Sequence, residues 1–123
     1  MNPLGLQELK VVALAVDDMA RACDFYRNTL GLVPALEGGE AAFALGNATL
    51  MLKLSGNGWP GKPSTELNPR LTLAVADARQ TEKRLLARGV RISDGVSLYE
   101  EGLFYIGAFL DSEGNKLWFC SAA

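Results

Sequence analysis

The apolar residues of this chain gather in short runs that come in two matching series. Val11-Val12-Ala13-Leu14-Ala15-Val16-Asp17-Asp18 is echoed by Arg70-Leu71-Thr72-Leu73-Ala74-Val75-Ala76-Asp77, in each case an apolar strand ending on aspartate. Helical spacing follows both runs. Asp18 and Asp77 suit N-caps, whose carboxylates accept backbone N–H bonds of the first turn, and Gln80 strengthens the second. Gly31 and Gly89 then follow Leu30 and Arg88 where a left-handed C-cap favours a residue without Cβ.

Beyond each glycine the pattern predicts a short strand, Leu32 to Leu36 and Val90 to Ser93, and then a hairpin. The first hairpin runs from Ala41 to Leu45, through Gly46-Asn47, and back over Thr49 to Leu54. The second runs from Phe104 to Leu110, through Asp111-Ser112-Glu113-Gly114, and back over Asn115 to Cys120. Each half therefore reads β-α-β-β-β. Between them Ser55 to Pro69 holds Gly56, Gly58, Pro60, Gly61, Pro63 and Pro69, too many breakers for regular structure. The expectation is one domain over 1–123: a first module at about 9–54, a linker at 55–69 and a second module at about 70–121. Modules this small bury too little apolar surface to stand alone, so the halves must pack together or exchange between chains.

Strand side chains alternate between faces, and the parity carrying large apolar residues should pack on the helix. The helix-facing sets are Val12, Leu14, Val16; Leu50, Leu52, Leu54; Leu71, Leu73, Val75; and Leu117, Phe119. The opposite sets are Val11, Ala13, Ala15; Thr49, Met51, Lys53; Arg70, Thr72, Ala74; and Lys116, Trp118, Cys120. Small residues, cations and one large aromatic on that second face suit either a solvent-reachable concavity or a face turned to bulk water. In the first helix Ala22, Phe25, Tyr26 and Leu30 form the apolar stripe, and Arg21, Asp24, Arg27 and Asn28 the wet side.

Composition narrows the function classes. Hydrophobic residues make up 49% and charged residues 21%, the profile of an ordinary globular domain. A net charge of -2, without a basic run, argues against nucleic acid. No apolar stretch is long enough to span a membrane and Met1 to Leu9 lacks a signal-peptide pattern, so the expected location is cytoplasmic. Cys23 and Cys120 then read as reduced, partly buried thiols. The chain has no histidine, which removes Ser-His and Cys-His nucleophile pairs and the commonest transition-metal ligand.

Ala15-Val16-Asp17-Asp18-Met19-Ala20, then Phe25-Tyr26, then Leu30-Gly31-Leu32, and finally Asp111-Ser112-Glu113-Gly114-Asn115-Lys116-Leu117 make the sequence recognisable. Over nearly its whole length it resembles the vicinal oxygen chelate superfamily of glyoxalase I, bleomycin-resistance proteins, fosfomycin-resistance enzymes and extradiol dioxygenases. The resemblance implies an α+β fold in which two β-α-β-β-β modules form a curved eight-stranded open barrel with a central cleft, commonly as a homodimer. It also implies that a metal site, if kept, would use the positions of Val11, Met51, Arg70 and Trp118. Valine and tryptophan offer no lone pair, arginine is a fixed cation, and a lone thioether suits only soft metals. The expectation is therefore a metal-free cleft without cofactor, and the metal-dependent chemistry of the family is in question.

Arg70, Lys53 and Lys116 would make that cleft positive, and Trp118 would give it a flat apolar wall. Arginine forks onto carboxylate or phosphonate while an aromatic plane stacks on a ring, so the expected ligand is a small, anionic, partly aromatic molecule. Met51, Thr72 and Val11 complete the expected lining, and Trp59 of the linker either caps it or packs under the loop or across a dimer interface. The bland alternative pairs Arg70 with Glu66 or Glu100, points the lysines into water and uses Trp118 as core. Tyr99, Glu100 and Glu101 lie in the loop before the seventh strand, where a carboxylate reads as surface acid or, turned inward, as general base. Three readings remain: a binding protein that sequesters its ligand, a lyase, isomerase or dioxygenase-type enzyme with a non-standard site, and a dimeric interaction module.

Overall fold

Two aspartate carboxylates start the two helices. Asp18 Oδ1 accepts from the Arg21 amide at 3.0 Å and Asp77 Oδ1 from the Gln80 amide at 3.2 Å, each capping a first turn whose N–H groups have no helical partner. The computed structural model describes residues 4–35, 41–56, 61–99 and 102–123. They fall into two compact units, Met1–Gly61 and Lys62–Ala123.

The first unit contains β1 (Val11–Val16), α1 (Met19–Asp24), which continues as a π-helical stretch over Phe25–Thr29, then β2 (Val33–Pro34), β3 (Ala42–Leu45) and β4 (Ala48–Leu54). Its sheet has the order β1-β4-β3-β2, with β1 parallel to β4 and the other pairs antiparallel. The second unit contains β5 (Thr72–Ala74), α2 (Ala78–Ala87), β6 (Arg91–Leu98), β7 (Phe104–Leu110) and β8 (Lys116–Ala122). The same order recurs as β5-β8-β7-β6, with β5 parallel to β8. The fold is thus α+β, a β-α-β-β-β module written twice, each with an open four-stranded sheet.

Burial follows the alternation. Leu14, Val16, Phe43, Leu50 and Leu52 are buried on one face of the first sheet, where the Tyr26 ring of the helical segment lies 6.0 Å from that of Phe43. Leu117, Phe119 and Phe109 are buried on one face of the second sheet, and α2 contributes Ala78 and Leu85. Ser121, on that same parity, accepts from the Ala78 amide at 2.8 Å and ties the start of α2 to β8.

Gly31 and Gly89 both have positive φ, 74° and 77°, as C-caps require. Past Gly89 the chain closes with Gly89 N–H to Leu86 O and Val90 N–H to Leu85 O, the paired bonds of a Schellman motif. Between β3 and β4 only Gly46, the first turn residue, has positive φ, the II′ pattern.

Three expectations need correction. The first helix is not α-helical throughout, since Leu30 donates five residues back to Phe25 O in a π turn. The strand expected over Leu32 to Leu36 is reduced to β2, and Leu36 lies outside the described residues. The strand expected over Val90 to Ser93 is far too short. β6 runs from Arg91 through Asp94-Gly95 to Leu98. No described helix is long and apolar enough to cross a membrane. Cys23 and Cys120 are free and half-buried, and burial raises the Cys23 thiol pKa despite the nearby Arg27 charge.

The turn before β8 is held by one buried carboxylate. Asp111 Oδ1 accepts from the Glu113 and Asn115 amides, both at 2.8 Å, and Oδ2 from Asn115 Nδ2 at 3.1 Å. The fully buried Asn115 passes the order on, its Oδ1 accepting from the Ser64 amide at 3.0 Å, while the Lys116 amide donates to Ser64 O. Asp111→Ala strands these donors and should lower unfolding free energy by about 1–3 kcal/mol, read from urea denaturation. An unchanged midpoint would contradict this account of the turn.

Candidate functional site

Pairing across the second sheet puts four residues in one row: Thr72 of β5 opposite Trp118 of β8, Trp118 opposite Ala108 of β7, and Ala108 opposite Asp94 of β6. The row lies on the face away from Leu117 and Phe119, because alternate residues of a strand point to opposite faces. Lys116, two residues before Trp118, shares that face. Arg70 precedes β5 and is carried to the same place because the Trp118 amide donates to Leu71 O at 2.8 Å.

The indole of Trp118 gathers the cations. The Arg70 guanidinium carbon lies 4.3 Å from the ring centroid, and Lys116 Nζ lies 5.1 Å from it. Both lie within the range of cation–π attraction, which contributes about 0.5–1 kcal/mol at exposed sites. Lys116 also makes a 2.8 Å ion pair with Asp94 Oδ2. Arg70 makes no carboxylate ion pair among the described residues. The expected alternative partner Glu66 is not within ion-pair distance, and Glu100 lies outside the described residues.

Asp94 is the member of this cluster that sequence reasoning misses. In regular pairing every second residue of β6 would share a face with Ile92, which sits opposite Phe109 on the helix side. Instead Asp94 pairs with Ala108, so two residues of β6 advance against one of β7, and a second irregularity follows before Ser97. The first bulge turns Asp94 over to the Trp118 face. Glu82 of α2 supports the distortion by accepting from the Val96 amide at 2.8 Å. Gly107 makes room for it, since a Cβ there would meet Val96 Cγ2 at 2.8 Å, Phe119 Cζ at 3.1 Å and Asp94 O at 3.2 Å.

The Asp94 pKa is lowered, first by the hydrogen bond from Lys116, with smaller help from Ser93 and from the charges of Lys116 and Arg70, against some desolvation. The remaining expected lining residues belong to the first unit or lie outside the described residues. Val11, Met51 and Lys53 share one face of the first sheet, with Val11 paired to Thr49, Ala13 to Met51 and Ala15 to Lys53. Met51 and Lys53 are half-buried there and Val11 is 43% exposed. Trp59 lies outside the described residues, as do Glu100 and Glu101.

The side chains at the four positions to which the resemblance would assign a metal, Val11, Met51, Arg70 and Trp118, do not fit a divalent ion. Two of them, Arg70 and Trp118, are a stacked cation and indole, and the neighbouring carboxylate is already paired with Lys116. Among the described residues no three His, Cys, Asp or Glu side chains come together as a metal-holding group.

A family model described as Glyoxalase/Bleomycin resistance protein/Dioxygenase superfamily matches residues 8–119. No curated protein matches the chain in sequence. Among solved structures, the chain is similar to lactoylglutathione lyase from Agrobacterium tumefaciens, with TM-score 0.71 and 21% identity over 95% of both chains. A glyoxalase-related enzyme from Fulvimarina pelagi gives TM-score 0.74 and 19% identity, over 94% of this chain and 88% of that one. TnmS3, an antibiotic binding protein from Streptomyces sp. CB03234, gives 0.74 and 23%, over 97% and 98%.

Two measurements test this geometry. Gly107→Ala forces a methyl against Val96 and the Asp94 carbonyl and should cost about 1–3 kcal/mol of stability in chemical denaturation. A neutral result would mean that the bulge has slack the contacts do not show. The lowered Asp94 pKa means that its ionised form favours the folded state. Its contribution is complete above the ordinary value of 3.8 and is lost as pH falls through the lower folded value. Melting temperature should therefore fall less steeply below about pH 4 in Asp94→Asn than in wild type. Parallel curves would refute the coupling.

Proposed function

Because the chain belongs to the glyoxalase, bleomycin-resistance and dioxygenase superfamily, we propose that it is a metal-independent binding protein of that superfamily. Its ligand is a small aromatic anion held at the Arg70–Trp118–Lys116 face of the second sheet. Superfamily membership does not itself choose between catalysis and capture, since the similar structures include both a lyase and an antibiotic binding protein. The choice rests on what stands at the metal-ligand positions.

One observation carries the reading: the Arg70 guanidinium stacked at 4.3 Å on Trp118, without a carboxylate partner among the described residues. Stacking leaves the N–H edge of a guanidinium free to fork onto a carboxylate or phosphonate. Trp118, half-buried, supplies apolar surface for a ring beside that anion. Thr72, directly opposite Trp118 and exposed, offers a hydroxyl at the same place.

The test is isothermal titration of the purified protein with benzoate, naphthoate and indole-acetate probes. Saturable binding is expected, weakened about 10- to 100-fold by Arg70→Ala, because a hydrogen bond to a charged group contributes about 1.5–3 kcal/mol. Arg70→Lys should recover only part of that loss, since an ammonium keeps the charge but neither the fork nor the stack. Trp118→Ala should weaken naphthoate more than benzoate. Binding indifferent to Arg70→Ala, or stoichiometric divalent metal in the protein with a matching rise in melting temperature, would overturn the proposal.

A further inference from the structure

The cluster on the second sheet holds two cations and one carboxylate, and the carboxylate does not serve them equally. Asp94 Oδ2 lies 2.8 Å from Lys116 Nζ, whereas Arg70 feels it only as a charge at longer range. Lys116 is therefore committed to a residue of the protein. Arg70 keeps its donors.

From this we infer that Asp94 is the specificity-determining residue of the face: by holding Lys116 it leaves one cation for the ligand and selects aromatic monoanions over dianions. The inference rests on the binding reading above and adds the charge class of the ligand to it. Three structural features make Asp94 a fixed part of the face. The bulge between Ile92 and Asp94 turns the carboxylate toward Trp118, where regular pairing would send it to the helix side. Glu82 fills the hydrogen-bonding need of the Val96 amide that the distortion takes from the ladder. Gly107 is the small residue whose missing Cβ lets the bulge close down.

The charged groups at the Trp118 ring are Arg70 before β5, Lys116 on β8 and Asp94 on β6, and Arg91 lies on the same face in the row of Lys116, across Leu110. A single ligand carboxylate on Arg70 balances the three groups at the ring, two positive against two negative, with Arg91 one further cation a row away. A second carboxylate must either displace Asp94 from Lys116 or remain beside it as a like charge. The ion pair is only partly exposed, with the Lys116 side chain at 22% and Asp94 at 40%, so displacement has a moderate cost and no absolute block results. The effect is a preference by charge.

The experiment compares phthalate with its monoamide, phthalamate, at about pH 8, where every free carboxyl is ionised and the two ligands differ in one charge at nearly constant shape. In Asp94→Asn the affinity for phthalate relative to phthalamate should rise about five- to tenfold over wild type, and Asp94→Ser should move it the same way. In a Lys116→Gln background the Asp94→Asn change should lose most of this gain, since no ammonium is left to release. A steric or folding role for Asp94 would shift both ligands alike. An unchanged ratio, with both ligands bound by both proteins, overturns the inference and leaves the binding reading standing. Failure of wild type to bind either ligand overturns both, whether or not Asp94→Asn binds phthalate, since a face that selects monoanions must hold one.

Discussion

The attraction between one indole and the cations beside it organises the second sheet's open face. Trp118 is placed by β8, which lies between β5 and β7, so its ring has a parallel neighbour on one side and an antiparallel one on the other. The parallel neighbour brings Arg70, the strand's own alternation brings Lys116, and the antiparallel side brings Asp94 across Ala108. A large side chain at position 108 would separate the carboxylate from the ammonium. Alanine leaves the gap open, and backbone pairing thus acts as the positioning device for chemistry that no single strand contains.

The buried turn at Asp111 serves the same end. Its hydrogen bonds fix Asn115, and Asn115 with the Lys116 amide fixes the Ser64 segment that precedes β5. Both strands that deliver cations to Trp118 are therefore set from one point. This accounts for a carboxylate at 6% exposure: its oxygens accept from the main-chain amides of Glu113 and Asn115 and from the Asn115 side chain.

Much of this was legible from the order of residues. Asp18, Asp77, Gly31 and Gly89 act locally, through caps whose chemistry depends on a few neighbours, and the alternation in β1, β4 and β8 sorts side chains without knowledge of the partner strand. Asp94 was not legible, for two physical reasons. Asp-Gly is a strong turn signal, and here it is overridden by pairing with β7 and by a side chain from α2, both remote in sequence. Parity itself breaks at a bulge, so even the correct strand would have sent Asp94 to the wrong face. The π turn at Phe25–Thr29 escaped for a similar reason, since an extra residue in a helix leaves the apolar stripe of Ala22 and Tyr26 intact.

The relation between fold and chemistry follows from where the constraints fall. Caps, Schellman closure and the buried faces of both sheets demand particular residues for stability, and they are satisfied on the helix side or in the turns. The opposite faces carry no such demand, which lets residues as different as Val11, Met51, Thr72 and Trp118 stand there without disturbing either module. On the second sheet that freedom is taken up by a cation lying over an indole. The bulge in β6 is the exception that joins the two sides: Glu82 on the helix face and Asp94 on the other are coupled through the same short stretch of backbone. Packing of α2 against the sheet is thereby connected to the charge presented beside Trp118.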